Sequence, residues 1–110
     1  MFCFKSLARN SYGRAEIGIH LGHKKARETI LKAGSRLSEE VNSAFLNAKY
    51  VIAKRKQYED EGKVRNHVLQ VDIPFKSQSG AGEFLNGRSF DGNSNWKTEE
   101  GNIPLKELLE

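Results

Sequence analysis

A chain of 110 residues makes one compact domain and is too short for two, and its single cysteine, Cys3, excludes an intramolecular disulfide and a cysteine-based zinc site, which points to the reducing cytoplasm. With 37% hydrophobic residues and a mean hydropathy of -0.64, no apolar run nears the ~20 residues that span a bilayer, so a soluble domain with its own core is expected. Lys and Arg number 18 against 14 acids, and the net charge of +4 favours a polyanionic partner over an acidic one.

The basic surplus lies in the first quarter, where Glu16 is the only acid before Glu28 and Lys5, Arg9, Arg14, Lys24, Lys25 and Arg27 are basic. Residues 1–14 read as a lead segment to a domain over 15–108. An organellar transit peptide is set aside, because the acid-poor stretch runs straight into a strand pattern. In that pattern Ala15, Ile17, Ile19 and Leu21 alternate with Glu16, Gly18 and His20. Gly22 to Arg27 reads as a turn. Thr29, Leu31 and Ala33 then alternate with Ile30 and Lys32 until Gly34-Ser35, and the two segments are expected to pair as a hairpin.

From Asn42, a candidate N-cap, to Gly62, a suitable C′ residue, nothing breaks a helix. Phe45, Ala48, Ile52 and Arg55 share one face, while Lys49, Lys54, Lys56 and Glu59 lie opposite, so this helix is expected to lie on a sheet with its charges in water. Leu69, Val71 and Ile73 alternate with Val68, Gln70 and Asp72, a strand that Pro74 ends or places at an edge. Phe45, Ile52, Leu69, Val71, Ile73 and Phe75 are the expected core.

A Ser-rich start at Ser77 and Ser79 caps a short helix in which Gly80, Ala81 and Gly82 allow close backbone approach, and Gly87 stops it. Phe90 to Asn95 is turn-rich, Trp96-Lys97-Thr98 is a short strand, and Pro104 opens a last turn. Leu109 and Glu110 have the look of cloning residues and receive no role. The fold class is α+β: a small, mostly antiparallel sheet packed against one long helix, with a short Ser/Gly-rich C-terminal helix.

His20 and His23 are three apart with Cys3 upstream, but in an alternating strand His20 points to the polar face and His23 falls in the next turn, so no metal site is expected. Neither Cys3 nor any Ser has a His and an acid in a local catalytic motif, and no enzyme and no cofactor is expected. Gly80-x-Gly82 lacks the Gly-Lys-Ser/Thr ending of a phosphate loop. The richer constellation is Ser77, Ser79, Arg88, Ser89, Asp91-Gly92, Trp96 and Lys97, which puts an Arg, hydroxyls and an aromatic on loops within about twenty residues. Such groups grip phosphate and stack on a base.

Phe75-x-Ser77-x-Ser79-x-Ala81, Gly87-Arg88-Ser89, Gly92, Trp96-Lys97, Gly101 and Leu105 resemble the C-terminal signature of the domain of unknown function 4357 family, and Gly34-Ser35-Arg36 with the helix end at Glu61-Gly62 extends the resemblance over roughly residues 15–108. This small domain is found alone or appended to GIY-YIG-type nuclease-like and restriction-modification proteins, and is similar to the restriction-enzyme adenine-methylase-associated (RAMA) domain. Family members carry Pro, Ala, Ala and Asn where this chain has Gln78, Gly80, Gly82 and Asp91. The resemblance implies a non-catalytic accessory module that binds nucleic acid, with DNA favoured and modified DNA in view. Arg88 and Lys97 would hold phosphate, Ser77, Ser79 and Ser89 would donate to phosphate or a base edge, and Trp96 would stack. Lys24, Lys25, Arg27 and Arg36 would add non-specific attraction. The rival expectation is a protein-interaction module docking onto a nuclease or methyltransferase subunit.

Overall fold

The structure, a computed structural model, describes residues 1–18 and 28–109. Strands β1 (Phe2–Ser6), β2 (Ser11–Ile17) and β3 (Thr29–Leu31) are followed by helix α1 (Ala48–Asp60) and by the hairpin of β4 (Val64–Arg65) and β5 (Val68–Leu69). Next come β6 (Ile73–Phe75), α2 (Gln78–Asn86), α3 (Gly92–Asn95), β7 (Lys97–Thr98) and a 3-10 turn, Leu105–Leu108. The main sheet has the order β6-β3-β2-β1-β7, with every neighbouring pair antiparallel. The α+β class and the antiparallel sheet expected from the sequence are therefore present, and the β2–β3 pairing sets Ala15 opposite Leu31. Pro74 sits on β6, an edge strand, where its missing N–H costs no ladder bond.

The helix over the sheet is α2. Its inward face, Ala81, Phe84 and Leu85, is almost fully buried and packs on β2, β3 and β6. β2 admits it by keeping that face small: Ser11, Gly13 and Ala15 are buried, and a Cβ on Gly13 would overlap the Leu85 side chain. The longer α1 packs against α2 and β4, one layer further out.

Several expectations change. Residues 2–6, read as lead segment, form β1 inside the sheet, with Phe2 buried and paired with Ala15; a five-residue strand gives too short an alternation to stand out. α1 starts at Ala48, while the Asn42 side chain closes a turn by accepting from the Ala44 N–H at 2.9 Å. Its inward stripe is Ala48, Val51, Arg55 and Tyr58, so Ile52 faces out at 47% exposure and Phe45 is only half-buried. The expected strand through Val71 is two strands: β5 pairs with β4, β6 with β3, and the crossover between these partners leaves Val71 exposed. Leu109 belongs to the buried cluster with Trp96 and Leu105.

Arg55 is on the inner stripe because α2 needs it there. The last carbonyls of a helix have no partner within it. Arg55 donates from Nε and Nη2 to the Phe84 carbonyl at 3.0 and 2.8 Å and from Nη1 to the Ser38 carbonyl at 2.7 Å, while Arg9 Nε reaches the Asn86 carbonyl at 2.7 Å. Burial pushes the Arg55 guanidinium down to about 10, with the charge of Arg9 adding to the effect. Two arginines thus hold the negative end of α2.

Candidate functional site

Ser77 is the N-cap of α2: its backbone is extended and its Oγ accepts from the Gly80 N–H at 2.9 Å. Gly87 ends the helix at φ 68. Ten residue steps at 1.5 Å rise set Ser77 and Gly87 about 15 Å apart. The single patch expected from Ser77, Ser79, Arg88 and Trp96 is accordingly not formed. Ser79 Oγ accepts from the Gly92 N–H at 3.0 Å and ties α2 to α3. Trp96 is 0% exposed, donates its indole N–H to the Gln78 carbonyl at 2.8 Å and packs against Phe90 at 5.6 Å between centroids. In this fold it cannot stack on a base. Its indole instead spans from the last elements to the start of α2, a bond that no local pattern announces.

Arg88 and Ser89 are exposed beyond the far end of α2, and Arg88 makes no ion pair among the described residues. Lys97 is half-buried in β7, opposite Cys3. Arg36 bridges β2 and β5 through its backbone, and its Nη2 lies 3.9 Å from Glu39. Asp91 caps α3, accepting from the Asn93 N–H at 3.1 Å and the Ser94 hydroxyl at 2.9 Å, which accounts for a carboxylate there without a ligand. Lys24, Lys25 and Arg27, with His20 and His23, lie outside the described residues. Among the described residues no group of three His, Cys, Asp or Glu side chains could hold a metal, and no helix is long and apolar enough to cross a membrane.

A cleft of about 470 Å³ opens where α1, β6 and the start of α2 meet. Buried Val51 and Phe84 and half-buried Phe75 give it an apolar lining, while Tyr50, Lys54, Lys76 and Ser77 bring ring, charge and hydroxyl. Tyr50 is 57% exposed. Lys54 Nζ lies 5.7 Å from the Tyr50 ring centroid and 5.2 Å from that of Tyr58, and Lys63 Nζ, beyond the end of α1, lies 5.2 Å from Tyr58, so rings and cations alternate from α1 into the turn after it. The Tyr58 hydroxyl, ahead of other causes, holds the Lys54 ammonium above its usual range, so it is cationic at neutral pH. Glu83 is the acid of the cleft; its Oε1 accepts from Asn47 Nδ2 at 2.9 Å.

Of the described residues read from the sequence as nucleic-acid-binding, only Ser77 lines this cleft. The missed signal is the spacing Tyr50, Lys54, Tyr58, which puts two rings and a cation on one helix face. Periodicity hides it, because a helix face set by Ile52 puts Lys54 on the solvated side.

A family model described as a domain of unknown function (DUF4357) matches residues 20–108. Strands β1 and β2 precede the matched span. Comparison with curated proteins and with solved structures gave no match.

Proposed function

The chain belongs to the DUF4357 family, and on that premise we propose that it is a non-catalytic nucleic-acid-binding module, with DNA as the favoured partner, serving a restriction-modification or nuclease system in the cytoplasm. The observation that carries this reading is the cleft between α1 and α2, where Lys54 and Lys76 outnumber Glu83 and stand beside an exposed Tyr50 and the ring of Phe75. A lysine held near aromatic rings, with a second lysine in the same cleft, is what a strand of nucleic acid needs: cations for phosphate and π-faces for bases. The net charge of +4 adds long-range attraction, to which Arg88, Lys24, Lys25 and Arg27 contribute.

The test is a titration of labelled duplex, adenine-methylated duplex and single strand at two salt concentrations. Affinity should fall as salt rises, with log K against log salt sloping by about -0.9 per phosphate contacted on duplex and about -0.7 on single strands. Changing Lys54 and Lys76 together to Gln should flatten the slope by one to two contacts. Absence of binding at low salt to all of these would reject the reading. It would favour the rival, docking onto a nuclease or methyltransferase subunit, for which the exposed apolar side chains of Leu46, Tyr50 and Ile52 around the start of α1 are the observation in support.

A further inference from the structure

Two features of the cleft bear on the form of the nucleic acid. The first is its shape. A duplex shows its base edges only inside its grooves, which a protein reads by inserting a helix or a two-stranded ribbon. Here the arrangement is the reverse: Phe75 and Tyr50 line a concavity whose base is the buried pair Val51 and Phe84, so a base has to come to the protein. The volume of about 470 Å³ lies within the range of roughly 300 to 1,000 Å³ typical of sites that enclose a small ligand. The second feature is the distribution of charge. Glu83 repels phosphate from the α2 wall, which leaves Lys54 and Lys76 as the cations for the backbone, and Lys54 Nζ, 5.7 Å from the Tyr50 ring centroid, puts a phosphate site next to a ring on which a base can lie.

We infer that the cleft takes one unpaired nucleotide of a DNA strand, with its base against Tyr50 and Phe75 and its phosphate on Lys54 and Lys76; the inference rests on the nucleic-acid reading above. A duplex then binds only where a nucleotide leaves the stack, at the cost of unpairing it.

The experiment uses three labelled probes at one salt concentration: a single-stranded 12-mer, the duplex of the same length, and a single strand of abasic residues with the same number of phosphates. The 12-mer should bind about tenfold or more tighter than either of the others, and Tyr50→Ala should remove about tenfold from the 12-mer alone, as loss of one stacking ring does. Tyr50→Phe should restore it. Because Tyr50 is largely exposed, Tyr50→Ala should melt where the parent does. Equal or tighter binding of the duplex or the abasic strand, unchanged by Tyr50→Ala, would overturn the inference and leave the nucleic-acid reading standing. If none of the three probes binds at low salt, both fall.

Discussion

Gly82→Ala sets two magnitudes against each other. By propensity alone, alanine inside a helix is worth about 1 kcal/mol more than glycine, so a change in α2 should stabilise it. The packing says the opposite. A Cβ on Gly82 would overlap three ring carbons of Phe90, and that ring has little room to retreat, being 4.8 Å from Phe4 and 5.6 Å from Trp96 between centroids. Overpacking of a well-filled core costs about 1–3 kcal/mol, and overlap with three atoms of a held ring belongs at the upper end. The net is a loss of about 2 kcal/mol, or about 8 °C in melting temperature for a domain of this size. Thermal unfolding followed by far-ultraviolet circular dichroism reads it. The same substitution made together with Phe90→Leu should recover part of the loss relative to the sum of the two single changes, since the two side chains share one space. A Gly82→Ala variant that melts higher than the parent would refute the packing of α2 against Phe90.

Arg55→Ala should destabilise clearly, because the Phe84 and Ser38 carbonyls have no other donor among the described residues and each buried carbonyl left unpaired costs about 1–3 kcal/mol, whereas Ile52→Ala on the outer face should change stability by less than about 0.5 kcal/mol in urea unfolding. The reverse ranking would mean that α1 is turned the other way. The Asp72 carboxyl is held below its usual range, first by the Lys32 ammonium and then by the Ala33 N–H, so its contribution is present above the ordinary carboxylate pKa of about 4 and is lost as pH falls through the lower folded-state value. Asp72→Asn should therefore reduce the fall in urea midpoint between neutral and acid pH, and an unchanged fall would count against the Lys32–Asp72 contact. Trp96, the one tryptophan, should emit at short wavelength, resist quenching by iodide until the fold is lost, and stay unshifted when a nucleic acid binds; quenching in the native state would reopen it as a stacking residue.

Where a signal was local, the chain declared it. Ser77 and Gly87 bracket α2 because a hydroxyl cap and a left-handed stop act within one turn of their own position. Pro74 marked an edge for the same reason: it lacks a donor wherever it is placed. The antiparallel pairing of β2 with β3 followed from period-two alternation on both sides of a break, and the family signature followed from the order of punctuating residues.

What the tertiary structure alone decided was which side of each element meets what. Ile52 looked inward because it is apolar, yet the inner position belongs to Arg55, whose guanidinium answers carbonyls on a helix about thirty residues later in the chain. The turn-rich stretch before Trp96 reads as a loop that presents a stacking group, but the rings of Phe4 and Phe90 and the Gln78 carbonyl enclose it. β1 reads as a lead in the sequence because its strand partners are β2 and the distant β7. The cleft is assembled from Tyr50 and Lys54 on one helix, Phe75 on an edge strand, and Lys76 and Ser77 before another helix, and these groups meet only once α1 has crossed α2. Contacts of that separation depend on the free energy of the whole packed core, which sums over side chains from every element, so no window of the sequence contains them.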